Sequence, residues 1–236
     1  MEKLRIRQIL DYVCKRRRCS LGELMRKFRV SRATIHRDVA ELAKRDAISV
    51  VRGGVIWNDN DRPLPSTTGY AERVVTNRAA KIKVAGTALE LIVDGDIIFL
   101  DSSTTVYELS LLLKNSKITH LTIITNSLAV MQNFRKLPQC WAMIGLGGGY
   151  DAQLNSILGS TALEQLRHLN ITKAFVSAFG LDTKNATTNH ERQAELIRAD
   201  IAASDKSYLL VDKSKLSRNG IHHLASRSAF SRIITD

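Results

Sequence analysis

The sequence predicts an α/β protein in two parts: a small basic helical module closed by a hairpin, joined to a mainly parallel, doubly wound α/β domain. Three observations carry this. Residues 1 to 57 hold 15 Lys+Arg against 6 Asp+Glu, so +9 of the net +12 lies there and the remaining residues carry only +3. Asn58 to Thr76, NDNDRPLPSTTGYAERVVT, holds two of the chain's three prolines among polar residues and reads as a linker. From Arg78 onward, apolar runs alternate with helical patterns, as expected of a parallel sheet with helices on both faces. The boundaries are therefore placed at 1–57, 58–76 and 77–236.

Composition narrows the function classes. A length of 236 residues with 44% hydrophobic content is ample for a real core. Every apolar run falls well short of the roughly 18 residues a membrane span needs, and the start MEKLRIRQIL lacks the apolar core of a signal peptide. A cytoplasmic protein with no membrane partner is expected. Cys14, Cys19 and Cys140 form an odd set without a CxxC pair, so no disulfide framework, metal site or cofactor is expected. Basic charge confined to one segment is the electrostatic footprint of a nucleic-acid-binding module.

Within that segment, Leu4, Ile6, Ile9, Leu10 and Val13 mark a first helix ending at the basic run Lys15 to Arg18. Ser20 to Glu23 form an S-x-x-E capping box, with Cys19 and Leu24 as its hydrophobic staple. Leu21, Leu24, Met25 and Phe28 then line one face of a short second helix. A turn through Arg29 and Val30 reaches Ser31, a good N-cap for a third helix in RVSRATIHRDVAEL. Ile35, Val39 and Leu42 form its apolar stripe, while Arg32, Ala33, His36 and Arg37 share the opposite face near the N-terminus. Taken alone, that face reads as a solvated ladder of Arg37, Glu41 and Arg45. Its neighbours reverse the reading. The capped helix before it makes a helix-turn-helix, and Ile48–Val51 and Val55–Trp57 around Gly53-Gly54 make a hairpin wing. Arg52 at the wing tip reads equally as a phosphate or minor-groove contact and as a solvated side chain.

In the second part, Ile82, Ala85, Leu89 and Ile92 mark a helix, and Asp94-Gly95-Asp96 turns the chain into strand Ile97–Leu100. Further strands are read at Leu121–Thr125, Trp141–Gly145, Ala174–Ala178, Tyr208–Val211 and within Phe230–Asp236, with helices at Val106–Leu113, Leu128–Phe134, Ala162–Leu169 and Arg192–Ala203. Ligands of such sheets bind beyond the carboxyl ends of the strands. Polar or glycine-rich stretches follow five of them: Asp101-Ser102-Ser103-Thr104-Thr105, Thr125-Asn126-Ser127, Gly147-Gly148-Gly149, Gly180-Leu181-Asp182 and Asp212-Lys213-Ser214-Lys215. Singly, each is an ordinary cap or turn. The first, four hydroxyls opening a helix, would make a compact anion site with phosphate the obvious guest, and five such stretches at equivalent strand ends point together to a ligand site.

These residues carry a resemblance. Residues 1 to 57 resemble the DNA-binding domain of the DeoR/GlpR family of bacterial transcription regulators, whose signature approximates VS..TIRRDL..L followed by a Gly-Gly wing. Val30, Ser31, Thr34, Ile35, Arg37, Asp38, Val39, Leu42, Gly53 and Gly54 match, while His36 and Val50 stand where the family usually has Arg. Residues 78 to 236 resemble the family's effector domain, similar in fold to ribose-5-phosphate isomerase, through LDSSTT (family LDSGTT, with Ser103 replacing Gly), ITNS, GLGGG, AFGLD and VDKSK. Family members usually continue past RIITD through a further helix and strand.

The resemblance implies a non-enzymatic regulator, a repressor of a carbohydrate-metabolism operon, acting as a dimer or tetramer on operator DNA under control of a phosphorylated sugar. Ser31, Arg32, Thr34, His36 and Arg37 then meet the DNA grooves, Arg5, Arg17 and Lys27 its phosphates, and Arg52 serves the wing. Asp101, Ser102, Ser103, Thr104, Thr105, Thr125, Asn126, Ser127, Gly147, Gly148, Gly149, Gly180, Asp182 and Lys213 become the effector site. The competing reading is a sugar-phosphate isomerase with a basic head, using Asp101, Asp182 and Lys213 as acid, base and charge stabiliser.

Overall fold

The computed structural model describes residues 2–16, 18–44, 48–51, 53–57, 69–134 and 136–236. The chain divides into two compact units, Met1–Pro65 and Ser66–Asp236. The expectations for Arg17, Arg45, Arg52 and the stretch 58–68 lie outside the described residues.

The first unit runs α1 (Glu2–Arg16), β1 (Arg18–Ser20), α2 (Leu21–Phe28), α3 (Arg32–Lys44), β2 (Ile48–Val51) and β3 (Gly54–Trp57). Its local signals act as read. The Ser20 hydroxyl accepts the Glu23 amide at 3.1 Å, and the Ser31 hydroxyl accepts the Thr34 amide at 3.3 Å, so both helices start on a satisfied donor. Helix α2 stops where Arg29 turns left-handed at φ 52°, letting the Val30 amide reach the Met25 carbonyl. Ile9 and Val13 of α1, Leu24 of α2 and Ile35, Val39 and Leu42 of α3 close one core over Cys19, Ile48 and Val55. Glu23 does not stay at its helix end; its carboxylate takes the Tyr12 hydroxyl at 2.8 Å and Arg16 at 3.0 Å.

Strand β1 carries no strand signal in the sequence, because three residues are too few to show alternation. It pairs antiparallel with β3, giving a sheet ordered β1-β3-β2. The pairing explains Gly54 better than the turn does. A Cβ there would stand 2.5 Å from the Cys19 carbonyl oxygen, so only glycine lets β1 close on the hairpin.

The second unit is built on a six-stranded, wholly parallel sheet. In chain order its elements are α4 (Tyr70–Val75), α5 (Arg78–Leu89), β4 (Ile97–Leu100), α6 (Thr104–Leu113), β5 (Leu121–Thr125), α7 (Leu128–Asn133) and β6 (Trp141–Gly145). There follow the hairpin β7 (Gly149–Asp151) and β8 (Ser156–Leu158), α8 (Ser160–Arg167), β9 (Ile171–Val176), β10 (Gly180–Leu181), β11 (Asn185–Thr188) and α9 (Glu191–Ala203). The chain closes with β12 (Ser204–Leu210), a 3₁₀ turn at Lys213–Lys215, β13 (His222–Ser226) and β14 (Arg232–Ile234).

The main sheet is ordered β14-β12-β9-β4-β5-β6. Alternate side chains of each strand enter different cores: Ile98 and Leu100 face the layer of α5 and α6, whereas Phe99 faces that of α8 and α9. Burial on both faces is why these strands read as unbroken apolar runs. The chain first builds β4, β5 and β6 outward in one direction, then β9, β12 and β14 in the other. The order therefore reverses between β4 and β9, and a crevice opens at that switch point.

Two features depart from the sequence reading. Helix α4 falls inside the stretch that composition marks as linker; six residues, YAERVV, are too short to show a helical period. A second antiparallel sheet, ordered β10-β11-β13, is made of short polar strands such as NATT and HHLAS that carry no strand signal. Among the described residues no helix is long and apolar enough to cross a membrane.

One buried group sits oddly in this core. Asp200 of α9 is wholly buried, and neither carboxyl oxygen has a hydrogen-bond partner among the described residues. Burial, with Asp101 nearby, pushes its carboxyl well above the usual carboxylate range. The folded chain therefore keeps a proton that the unfolded chain releases above about pH 3.9. Stability is fully present below that value and falls as pH rises toward the folded pKa. Asp200→Asn removes the titration, so urea denaturation should find this variant gaining stability over the parent between pH 5 and pH 8. A constant difference across that range would mean the folded carboxyl has already lost its proton by pH 5.

Candidate functional site

The first candidate surface is the exposed side of α3. Ser31, Arg32, Ala33, His36, Arg37 and Ala40 are exposed and Thr34 half-buried, while Ile35, Asp38, Val39 and Leu42 are buried. The first turn of α3 contains no acidic residue, so nothing offsets the positive end of the helix dipole. Lys27 is exposed on α2, with its ammonium 5.8 Å from the centre of the Tyr12 ring.

Arg5, read from sequence as a phosphate contact, forms a two-pronged ion pair with Asp38: Nε donates to Oδ2 at 2.7 Å and Nη2 to Oδ1 at 3.0 Å. The Asp38 side chain is 0% exposed and that of Arg5 27%. Arg5 thus ties α1 to the back of α3 and holds the exposed face in place.

The second candidate is a cavity of about 300 Å³ beyond the carboxyl ends of β4, β9 and β12. Its walls carry Arg73 of α4, Lys81 of α5, Lys215 of the 3₁₀ turn and Arg218, against the acids Glu72 and Asp212. Ser103, Thr104, Ser177, Thr188, His190 and Gln193 supply polar lining. The turn between α4 and α5 brings its two cations together: Asn77 adopts φ 52°, and Lys81 Nζ donates to the Arg73 carbonyl. The Asn77 amide in turn donates to Ser214 Oγ at 2.9 Å, fastening that turn to the end of β12. Lys215 Nζ donates to Ser177 Oγ at 2.9 Å. Burial lowers the pKa of Arg73 and Lys81, and brings Lys215 to about 8. The Arg73 Nε is buried without a hydrogen-bond partner among the described residues, a donor held ready for an acceptor.

Asp101 lies beneath this cavity rather than in its wall. It is 2% exposed; Oδ1 accepts the Ser103 amide and Oδ2 the Ser177 amide, each at 2.8 Å, so it clamps the ends of β4 and β9 together. Ser102 and Thr105 are likewise buried below the lining. Ser103 sits at φ −75°, an extended conformation open to any residue, and its hydroxyl caps α6 by accepting the Val106 amide. The Ser that replaces the family's Gly therefore adds a cap at no backbone cost.

The other sequence-read residues do not reach the cavity lining. Thr125 donates to the Leu100 carbonyl, Asn126 to Ser156 Oγ and the Ile157 carbonyl, and Ser127 caps α7. Gly147 gives its amide to Gln165, and Gly148 and Gly149 enter the β7–β8 hairpin, where a Cβ on Gly148 would meet the Leu158 carbonyl at 2.6 Å. Gly180 lets β10 pass the Arg218 backbone, and Asp182 caps a turn by accepting the Lys184 and Asn185 amides. Lys213 is exposed; Lys215, two residues on, is the lysine that turns in.

Comparison with known proteins decides the family. The DeoR-like helix-turn-helix domain matches residues 5–61, and the DeoR C terminal sensor domain matches residues 76–236. The chain belongs to the DeoR family of transcriptional regulators. This DeoR-family chain is 30% identical over 100% of its length to the HTH-type transcriptional regulator IolR of Bacillus subtilis (strain 168), covering 91% of that protein. It is 28% identical over 98% of its length to the HTH-type transcriptional repressor GlcR of the same organism, covering 87% of it. Among solved structures, a D-ribose-5-phosphate isomerase in complex with phospho-erythronic acid aligns at TM-score 0.43 and 17% identity, over 59% of this chain and 54% of that one.

Proposed function

We propose that this DeoR-family regulator represses a carbohydrate-metabolism operon, and that a phosphorylated sugar in the cavity beside Arg73, Lys81, Lys215 and Arg218 sets its operator affinity. The observation that carries the reading is four cations gathered around about 300 Å³, against two acids in the lining. That volume suits a small metabolite, and the charge balance suits a dianion. Arg73, Lys81 and Arg218 take the phosphate, and Lys215 with the hydroxyls of Ser103 and Thr104 faces the sugar. The repressor named among the relatives supports the sign.

The coupling runs through α4. This helix carries Glu72 and Arg73 into the cavity wall and directly follows the stretch that separates the two compact units. A ligand that engages Arg73 favours one placement of α4, and so favours one arrangement of the DNA-reading heads. One such head reads only a few base pairs, so two or more copies act together on repeated half-sites. Thermal-shift measurements with five- and six-carbon sugar phosphates, with and without operator DNA, test the coupling. No shift with any of them overturns the effector reading.

On the DNA side, Ser31, Arg32, Thr34, His36 and Arg37 make the contacts, with Lys27 on a phosphate. Arg37→Ala is expected to cost about 1–3 kcal/mol of operator binding if Arg37 meets a base edge. A fluorescence titration showing equal loss on operator and unrelated DNA would reassign it to a phosphate. His36 offers one donor and one acceptor where an Arg offers a charged fork, so His36→Arg should move the preferred base at the position it faces.

A further inference from the structure

We propose that Lys215 binds the ligand covalently and reversibly, as an imine between its Nζ and the carbonyl carbon of an open-chain aldose or ketose phosphate whose phosphate rests on Arg73, Lys81 and Arg218. The inference rests on the sugar-phosphate reading above and deepens it, from charge recognition to a chemical bond.

Three features of the site single out this amine. It lines the cavity, and its hydrogen-bond partner is a hydroxyl: Ser177 Oγ accepts from Nζ at 2.9 Å and spends its own proton on the Leu210 carbonyl at 2.6 Å. Among the described residues no carboxylate forms an ion pair with Nζ. Burial brings the amine's pKa down to about 8; Asp212 and Asp101 pull it back up, and Lys81 and Arg73 offset part of that pull. A desolvated lysine beside other cations is the arrangement that frees an amine lone pair for attack on carbonyls. Lys81, by contrast, is spent on the Arg73 carbonyl, and Lys213 is exposed.

The step balances without an oxidant or reductant. The Nζ lone pair attacks the carbonyl carbon, and the carbonyl oxygen takes up a proton to give a carbinolamine. Nitrogen loses one proton as the carbinolamine forms, the hydroxyl leaves as water with a proton gained, and nitrogen's second proton departs as the C=N bond of the neutral imine is completed. One water is the sole by-product, and its return reverses the bond. Such a site distinguishes sugar phosphates that open to a free carbonyl from polyol phosphates of the same size and charge.

The test uses the full chain with ribose 5-phosphate, glucose 6-phosphate and fructose 6-phosphate, each paired with its polyol phosphate. Intact-mass and peptide measurements follow brief incubation with cyanoborohydride at pH 7.5. The expected result is an adduct equal to sugar phosphate plus two hydrogens minus water, on the peptide holding Lys215. A pKa near 8 leaves on the order of 100-fold more neutral amine than an ordinary lysine; its weaker basicity takes back part of that, so Lys215 should label about tenfold faster than a lysine of ordinary basicity. Lys215→Arg, which keeps the charge, should abolish that adduct while still giving a thermal shift with phosphate ligands. If this variant fails to fold, the parent's ratio of Lys215 to Lys213 labelling decides alone. Equal thermal shifts by sugar and polyol phosphates, with no preferred labelling of Lys215, overturn the imine and leave the effector reading standing. Shifts by neither remove the effector reading and the imine with it.

Discussion

Arg5→Ala should unfold the DNA-reading unit before it disturbs any DNA contact. The substitution leaves the Asp38 carboxylate fully buried without its two-pronged partner, and stripping one member from such a pair costs about 3 kcal/mol. A unit of this size has only a few kcal/mol to lose, and about 3 kcal/mol lowers its melting temperature by roughly 15 °C. Circular dichroism on the full chain should show an early transition that operator DNA partly reverses. Asp38→Asn should lower the same transition, and the double variant should lose less than the sum, because the two share one interaction. If Arg5→Ala weakens operator binding while melting stays at the parent value, Arg5 is a phosphate contact and the ion pair is incidental.

That pair also shows where the sequence stops being informative. Asp38 follows Arg37 in a helix whose two faces are legible from periodicity, and the caps at Ser20 and Ser31 act within three residues of themselves. The partner of Asp38 lies 33 positions away, so its Arg looked like one more surface cation in a basic segment. The cavity extends the same lesson. Strand positions were legible because burial on both faces leaves an apolar run, but strand order was not. With β5 and β6 on one side of β4 and β9 and β12 on the other, the polar ends of β5 and β6 face the β7–β8 hairpin, where Asn126 holds Ser156. The crevice at the β4–β9 reversal takes its charge from Arg73, Lys81, Lys215 and Arg218 instead. Arg73, Lys81 and Arg218 read as ordinary solvated cations until the topology gathers them beside Lys215, and Arg73 sits on a six-residue helix inside a stretch whose composition says linker.

Asp101→Ala should damage this crevice from below. Asp101 is the one side chain that accepts both the Ser103 amide, at the entry to α6, and the Ser177 amide, at the end of β9. Both amides lie among buried residues, so truncation orphans two donors at about 1–3 kcal/mol each. A loss of about 3 kcal/mol lowers the melting of a unit this large by roughly 10 °C. The second consequence separates a clamp from a ligand contact. Ser177 also anchors Lys215, so releasing its amide loosens the Nζ that faces the cavity. Asp101→Asn keeps one acceptor and is expected to recover about half the stability. Its sugar-phosphate affinity should recover with it, since the role is to hold two backbone amides rather than to touch the ligand. A variant of parental stability that has lost ligand binding would place Asp101 back among the residues that contact the effector.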